Sequence, residues 1–468
     1  MRVAIVGAGV SGLGAAINLA HDGHDVVVLE RDATPLPTSA DEAFDWNRRG
    51  APQVRHSHAF LARGRNLIRD RLPDVREALL AAGVTEVAWS NMARGGRGFS
   101  PEPGDEDLVM LACRRTTFEW VLRRYALETD RVEIRDGAVV NALVATNGSG
   151  PVRITGAVTG DGPISADIVI DATGRPSHLI DLLAGVGVPL SETKSPTGIV
   201  YLSRFYRLRD GEAPPDETTF NGADLEYLKF AVFRGDNNTF SITLAFAPED
   251  EQLQTLRDEA RFDAATAQFE AIAKWTDAGV SVPISGVHYM GGLINRVRHF
   301  VVDGEPIALG IIGIGDASVC TNPLFGRGCS LGLVHGALFT DALRDECDDL
   351  RLLALRFDDD TKRELVPWYD ASVQQDHTGM KLQRGEPLND FETFVRSLIR
   401  EGVFPASLTD PVVSRAWFRS FNLLDTPEAL MTNVDVMRRV MEVWNDRHNR
   451  PPEPAAGPTR EALFAAID

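Results

Sequence analysis

Three glycines and one acidic residue near the amino terminus have the types and spacing that bind a dinucleotide. Gly7, Gly9 and Gly12 form the pattern G-x-G-x-x-G, and Glu30 follows at the distance expected of a ribose-binding carboxylate. In this pattern the first glycine permits a tight turn, the second lets backbone approach a pyrophosphate, and the third lets a helix pack against a strand. Glu30 alone does not separate FAD from NAD. The adjacent Arg31 suits either a 2′-phosphate or a solvated position after the strand.

The elements that must position these residues are predicted directly around them. Residues 3–6 form a short apolar run typical of a buried parallel strand, and a helix follows to about residue 20, with Gly23 at its end. A second strand is predicted over residues 25–30. The helix directs free N–H groups and a partial positive charge at a bound phosphate. This context favours a nucleotide site over a glycine-rich turn that binds nothing.

The composition of the 468-residue chain limits the classes of function. The balance of 48 basic against 67 acidic residues gives a formal net charge of −19, which argues against nucleic acid as a partner. The cysteines Cys113, Cys320, Cys329 and Cys347 form no C-x-x-C pair and suit reduced thiols. No signal peptide precedes the first strand and no apolar run is long enough to span a bilayer. We therefore expect a cytoplasmic protein without an integral membrane segment.

Hydrophobic patterning predicts a mixed α/β chain in four parts. They are a nucleotide-binding domain (1–196), a second domain with an antiparallel sheet and a helix (197–300), a return to the first domain (301–345), and a helical carboxyl-terminal region (346–468). Within them we expect meander strands at 132–145 and 152–157, antiparallel strands at 199–207 and 230–246 with a hairpin turn at 235–238, a helix at 258–278, and a buried strand at 307–316. Thr116 or Thr117 is expected to cap the helix that follows Arg115.

Two further motifs lie far along the sequence from the glycine pattern. One is Asp171-Ala172-Thr173-Gly174-Arg175, and the other combines Gly315-Asp316 with Pro323 and Gly326-x-Gly328. Together with the glycine pattern, they resemble those of the FAD-dependent monooxygenases, squalene-epoxidase-like enzymes, flavin halogenases and geranylgeranyl reductases, over most of residues 1–345. The resemblance implies a Rossmann-type FAD-binding domain of the glutathione-reductase type (GR2-like), with an inserted antiparallel substrate domain.

The same resemblance implies FAD as the cofactor. Arg115 stands where the family has a helix-starting arginine that binds FAD. Asp316 is suited to bond the ribityl chain and the pyrophosphate side, while Gly326 and Gly328 leave room for the isoalloxazine edge. The helix after them would stabilise negative charge on reduced flavin by about 1 kcal/mol. The predicted cofactor-binding residues are Gly7, Gly9, Gly12, Glu30, Arg31, Arg115, Asp316, Gly326 and Gly328.

Two histidines lie in a donor-rich loop whose function the sequence leaves open. The run Arg49-x-Gly-x-Pro-Gln-x-x-His-x-His, with Phe-Tyr-Arg-Leu at 205–208, resembles a bacterial monooxygenase-like branch. His56 and His58 could ligate a metal, although no third ligand is near in sequence and no metal is predicted. They could instead face the flavin or the substrate, or order the loop against carbonyl groups. With Arg55, they are the candidate catalytic residues.

The resemblance implies a monooxygenase that hydroxylates or epoxidises an apolar small molecule with O2, through a flavin hydroperoxide. Tyr201, Phe205, Phe233 and Phe246 are the candidate substrate-binding residues on the second domain's strands. The alternatives are an FAD-dependent reductase or dehydrogenase of an isoprenoid or other unsaturated lipid, and a binding protein without turnover on the same scaffold.

Two departures from the family patterns refine this expectation. The Trp-x-Trp-x-Ile-Pro segment of the halogenases is missing from the sequence, which argues against halogenation. Hydroxylases that take NADPH directly usually have Asp-Gly where this chain has Ala172-Thr173-Gly174. NAD(P)H is therefore a possible electron donor, and a partner flavin reductase is a possible source of electrons.

Overall fold

The computed structural model describes residues 1–92, 99–146, 148, 150–215, 220–346, 348–451 and 455–467, so Cys347 lies outside the described residues. The strands are β1 (Arg2–Val6), β2 (Asp25–Glu30), β3 (Thr85–Ala88), β4 (Val109–Ala112), β5 (Val132–Asp136), β6 (Ala142–Thr146), β7 (Arg153–Thr159), β8 (Gly162–Ser165), β9 (Ile168–Asp171), β10 (Ser191–Pro196), β11 (Val200–Leu208), β12 (Phe220–Asp224), β13 (Lys229–Arg234), β14 (Thr239–Phe246), β15 (Ser281–Pro283), β16 (His288–Met290), β17 (Ile294–His299), β18 (Val301–Val302), β19 (Glu305–Pro306), β20 (Ile311–Gly313) and β21 (Val319–Cys320).

The helices connect and cover these strands. They are α1 (Val10–His21), α2 (Ala62–Arg71), α3 (Pro73–Ala81), α4 (Trp89–Met92), α5 (Arg115–Glu128), α6 (Leu179–Ala184), α7 (Glu251–Gln254), α8 (Glu259–Thr266), α9 (Glu270–Thr276), α10 (Gly328–Asp345), α11 (Leu350–Glu364), α12 (Val366–Gln383), α13 (Asp390–Ser397), α14 (Phe404–Thr409), α15 (Pro411–Phe421), α16 (Ala429–Thr432), α17 (Val434–Asn445) and α18 (Arg460–Ile467). Among the described residues, no helix is both long and apolar enough to cross a membrane.

A parallel sheet in the order β20-β9-β1-β2-β5 forms the centre of the nucleotide domain. The strands β1, β2, β9 and β20 bury both faces, as expected of apolar runs in a parallel sheet: Ile5 packs towards α1 and α10, whereas Ala4 packs on the opposite side. The carboxyl ends of β1 and β2 carry the glycine turn and Glu30. The fold thus places the predicted dinucleotide residues at one edge of the sheet.

Two strand predictions in this domain need correction. Val132–Asp136 does not join the meander but forms the edge strand β5 of the parallel sheet, and the meander itself is β6-β7-β8. Only Ile311–Gly313 of the predicted strand 307–316 pairs within the sheet. Gly310 and Gly315 have φ angles of +74° and +57°, which turn the chain at both ends of this short strand.

The second, antiparallel sheet has the order β12-β13-β14-β11-β15, with β16 also paired to β11. The predicted hairpin turn at 235–238 is confirmed between β13 and β14, where Asn237 and Asn238 have positive φ angles of 49° and 56°. The predicted helix at 258–278 is instead two helices, α8 and α9. Phe269 lies between them, fully buried, and stacks on Phe230 at 4.6 Å between ring centroids.

One face of the antiparallel sheet packs against α8, α9 and α18, and the other faces the nucleotide domain. Val200, Leu202 and Tyr206 point to the helices, so the intervening residues of β11 point to the nucleotide domain. The helical prediction for the carboxyl-terminal region is correct. Its long helix α12 packs beside β17 and β21, next to the loop that precedes α10.

Candidate active site

A long cleft runs from the glycine turn after β1 to the amino terminus of α10, and it collects most of the predicted site residues. Those that line it are Gly7, Gly9, Glu30, Arg31, His56, His58, Arg115, Asp316, Gly326 and Gly328. The predicted residues Gly12, Arg55, Tyr201, Phe205, Phe233 and Phe246 do not line it. The fold therefore brings together side chains from both ends of the nucleotide domain.

The glycine turn shows which glycines serve packing and which faces the cleft. A Cβ on Gly12 would lie 2.0 Å from the Gly7 carbonyl oxygen, so only glycine allows α1 to approach the turn. Gly7 has a φ of +104°, and a Cβ there would meet the Ala172 carbonyl oxygen at 2.8 Å. A Cβ on Gly9 would meet nothing within 4 Å. Gly9 thus borders open space in the cleft.

Glu30 is buried and fixed at the end of β2. Its carboxylate accepts hydrogen bonds from the backbone N–H groups of Ala8 and Asp32, both at 2.9 Å, and from Arg48 at 3.3 Å. Arg48 also lies 3.3 Å from Glu119 and donates to the Ala8 carbonyl at 3.0 Å. Arg48 thus ties the donor-rich loop to the glycine turn. The loop was predicted to be rich in arginine, but nothing in the sequence indicates which of its arginines would bond to Glu30 and the glycine turn.

Arg115 is the first residue of α5 and lies where the cleft meets α10. Its Nε donates to Glu119 at 2.7 Å, and its Nη1 donates to His58 Nε2 and Cys329 Sγ, both at 3.4 Å. The predicted threonine cap of this helix is wrong. Arg114 occupies the cap position, and its side chain makes no hydrogen bond to the first turn of the helix. The Thr117 hydroxyl donates to Asp236 at 2.8 Å instead of capping the helix.

Asp316 lines the cleft near the start of α10. Desolvation raises the pKa of its carboxyl group, although the nearby cations Arg115, Arg175 and Arg296 oppose that shift. A carboxyl group in this setting can accept hydrogen bonds from hydroxyl groups of a ligand. The Arg296 guanidinium donates to the Asp316 backbone carbonyl at 2.7 Å and fixes the turn.

Both histidines of the loop are held by the protein. His56 Nδ1 lies 3.0 Å from the Ser203 hydroxyl. His58 Nδ1 donates to the His56 carbonyl at 2.9 Å, which leaves Nε2 to accept from Arg115. Burial lowers the pKa of each imidazole to about 3, so both are neutral at pH 7. These contacts favour the loop-ordering interpretation, and no cluster of three metal-ligating side chains exists among the described residues.

The third catalytic candidate, Arg55, points away from the cleft. Its guanidinium lies 5.7 Å from the Phe44 ring centroid and 3.9 Å from Asp45. Phe44 in turn packs edge-to-face on Phe205 at 5.5 Å, so Phe205 contacts the loop rather than the cleft. These contacts assign Arg55 and Phe205 to the packing between the loop and the antiparallel sheet.

The other predicted substrate residues divide between the two faces of the sheet. Tyr201 faces the nucleotide domain, and its hydroxyl donates to Asn322 at 2.6 Å. Phe233 pairs with Ser241 across the strands and shares that face. Phe246 lies on the opposite face, buried in the core with α8 and α9, and so cannot contact a ligand between the sheet and the nucleotide domain. Met290 is the sheet residue that lines the cleft.

Comparisons with known proteins found similar sequences for part of the chain and similar folds for most of it. A family profile described as FAD dependent oxidoreductase matches residues 2–71. The p-nitrophenol 4-monooxygenase PnpA from Pseudomonas putida is similar at 16% identity and a TM-score of 0.61, over 91% of this chain and 98% of that one. PqsL, a probable FAD-dependent monooxygenase from Pseudomonas aeruginosa, has 17% identity and a TM-score of 0.57, over 82% and 96%. The flavin-dependent halogenase CmlS has 18% identity and a TM-score of 0.57, over 99% and 76%. No curated protein matches the sequence.

These findings confirm the predicted α/β fold and, at the level of the fold, the resemblance to the flavin monooxygenases and halogenases. The similarity to the FAD dependent oxidoreductase profile covers the glycine turn, α1 and β2, which border the cleft.

The residues of the cleft fit an extended FAD. Leu13 makes the first intrahelical bond of α1, to the Gly9 carbonyl at 2.9 Å, so the N–H groups of the preceding helical residues have no partner within the helix. Ser11, among those residues, lines the cleft. Arg175 also lines it, close enough for its charge to act on Asp316. Unpaired N–H groups and a cation suit a diphosphate.

Proposed function

We propose that the protein is an FAD-dependent monooxygenase that transfers oxygen from O2 to a small organic molecule. The observation that carries the proposal is the single cleft that joins the amino terminus of α1 to that of α10. An extended dinucleotide, with its diphosphate at one helix amino terminus and its flavin at the other, matches two neighbouring helix amino termini that both border one cleft. The fold shared with flavin monooxygenases supports the same reaction class.

The protein's own groups would divide the work of binding. Gly9 and the start of α1 would hold the diphosphate, and Glu30 would accept from the adenosine ribose with Arg31 beside it. Arg115 and Asp316 would hold the middle of the cofactor. The start of α10, from Gly326 to Gly328, would approach the flavin ring.

Bound FAD would supply the redox chemistry, taking electrons from a donor such as NAD(P)H or a partner flavin reductase and passing them to O2. The chain's contribution is to orient the substrate and keep water away from the reacting atoms. Met290 and Pro323 offer apolar surface in the cleft, while Gln53 and Thr321 offer hydrogen-bonding groups. This lining fits a mainly apolar molecule with a polar group that fixes its orientation.

The test is a visible absorption spectrum of the purified protein, recorded anaerobically during titration with NADPH and then with dithionite. We expect a bound-flavin band near about 450 nm. Bleaching by NADPH indicates direct reduction, and bleaching by dithionite alone indicates a separate reductase. Admission of O2 should then consume oxygen in proportion to oxygenated product. A protein that takes up no FAD refutes the proposal, and a reduced product without oxygen consumption favours the lipid reductase alternative.

A further inference from the structure

One face of helix α12 contacts the loop that approaches the flavin end of the cleft. Trp368, Ser372 and Asp376 are spaced four residues apart and so lie along one side of the helix. The Arg327 guanidinium lies 4.8 Å from the Trp368 ring centroid and donates to the Ser372 hydroxyl at 3.1 Å. Asp376 accepts from the Asn322 side-chain amide at 2.6 Å. Three turns of α12 thus fasten the segment from Asn322 to Arg327.

The network at Asp376 fixes the orientation of both neighbouring amides. The Asn322 side-chain oxygen accepts from the Tyr201 hydroxyl at 2.6 Å and the Leu324 N–H at 3.0 Å, so its NH2 group must point to Asp376. The Asn295 side-chain oxygen accepts from the Asn322 N–H at 2.8 Å, and its NH2 group donates to the other carboxylate oxygen of Asp376 at 2.7 Å. Asp376 is an acceptor facing two donors.

This network lies next to the proposed cofactor site. Pro323 and Gly326 belong to the fastened segment and line the cleft, as do Thr321 directly before it and Gly328, which begins α10 directly after it. We propose that α12, from the carboxyl-terminal region, is part of the flavin site, with Asp376 as a positioning residue that holds the loop of residues 321–328 in the shape that binds FAD. This inference rests on the proposed function, because it assigns a role in the same cleft.

The surroundings of Asp376 provide a readout that a general loss of stability would not change. Desolvation raises the pKa of Asp376 to about 6, partly offset by the Asn295 and Asn322 amides and by the nearby charges of His377 and Arg327. Tyr201 is a further titratable group close to it, and the Asp376 charge adds to the effect of burial in raising the pKa of that phenol. Protonation replaces one acceptor position with a donor. FAD affinity should therefore weaken as the pH falls through about 6 in the wild-type protein.

The experiment compares FAD dissociation constants, measured by quenching of flavin fluorescence, for the wild type, Asp376→Asn and Asp370→Asn between pH 5 and 8. Asp370→Asn is the matched control, because Asp370 lies on the same helix but is exposed. In Asp376→Asn an NH2 group replaces one of the two carboxylate oxygens. This group then faces the NH2 group of Asn295 or Asn322, whose orientation is fixed, so that two donors meet without an acceptor. We expect FAD to bind about ten-fold more weakly at pH 7.5 and the pH dependence near 6 to disappear. The control should match the wild type.

Ser372→Ala is the second variant, because it removes one hydrogen bond to Arg327 and leaves the carboxylate in place. Ser372→Ala should weaken FAD binding about two- to five-fold, and this measurement tests the inference if Asp376→Asn does not fold. Wild-type affinity and an unchanged pH profile in a folded Asp376→Asn protein would overturn the inference and leave the proposed function standing. If Asp376→Asn cannot be purified, wild-type FAD affinity in Ser372→Ala would overturn the inference as well. A wild-type protein that binds no FAD would overturn both.

Discussion

Two single-methyl substitutions in the glycine turn should separate cofactor binding from folding. In Gly9→Ala the new methyl group meets no protein atom within 4 Å, and the backbone at φ −86° and ψ −173° accepts alanine without strain. Alanine restricts the unfolded chain by about 0.4–1 kcal/mol but is a poorer helix cap than glycine. These effects oppose each other, so the free energy of unfolding should change by less than about 1 kcal/mol.

The same methyl group would occupy the path proposed for the diphosphate. Displacing the phosphates from the start of α1 would cost one or two charge-assisted hydrogen bonds, each contributing about 1.5–3 kcal/mol. FAD should therefore bind to Gly9→Ala at least about ten-fold more weakly than to the wild type. Gly12→Ala is the contrasting variant, because its methyl group would lie 2.0 Å from the Gly7 carbonyl oxygen. The backbone must shift to avoid this clash, and the shift should lower the free energy of unfolding by about 1–3 kcal/mol or more.

The assay pairs urea unfolding of the FAD-free proteins, which reports stability, with fluorescence titration of FAD, which reports affinity. The reasoning requires Gly9→Ala to lose affinity at nearly unchanged stability, and Gly12→Ala to lose stability. Wild-type affinity in Gly9→Ala would show that the diphosphate does not pass this residue. Wild-type stability in Gly12→Ala would show that α1 is not packed on the turn as described.

Three further predictions concern buried charges. Asp236→Ala should lower the free energy of unfolding by about 3–5 kcal/mol, measured in urea, because it strands the buried guanidinium of Arg114; adding Arg114→Leu should recover part of the loss. Arg48→Met should lower the free energy of unfolding by several kcal/mol, because it removes the cation that lies between the buried carboxylates of Glu30 and Glu119, whereas Arg31→Met, at an exposed position next to Glu30, should change it by less than about 0.5 kcal/mol. Burial lowers the pKa of His335 to about 3, so the unfolded state binds the proton more tightly; stability should be complete above about pH 6.5 and fall below it, by up to about 1.4 kcal/mol per pH unit more in the wild type than in His335→Gln.

The sequence predicted the parts of the site that depend on local chain geometry. The glycine turn, Glu30 and the hairpin at 235–238 depend on neighbours within a few residues or within one strand-helix-strand unit, and the structure has each where it was expected. The positions of Arg48 and Asp376 beside the cleft were not predicted, because their hydrogen bonds join residues that lie far apart in the sequence. Nothing in a run of arginines, or in one acid on a helix, identifies such partners.

Phe246 shows how strand alternation alone misleads. Alternation places Tyr201 and Phe205 on one face of β11 but gives no information on which residues of β14 share it. In the observed register Tyr201 pairs with Ala245, and Phe246 pairs with Val200. Residues that pair across antiparallel strands lie on the same face. Phe246 therefore joins Val200 in the core against the helices, and only the register, a tertiary property, determines this.

The loop of residues 48–58 explains why the aromatic side chains of the sheet do not reach the cleft. Ser57 is bonded to Ser241 and Thr243 of the sheet, both at 2.7 Å, while His58 accepts from Arg115 on the nucleotide domain. Hydrogen bonds thus hold the loop on both sides, and it lies between these strands of the sheet and the cleft. A substrate in the cleft would contact this loop and Met290 of β16 before it contacted the aromatic side chains of the sheet. Substrate selectivity in this protein should therefore depend more on the loop than on the strands beneath it.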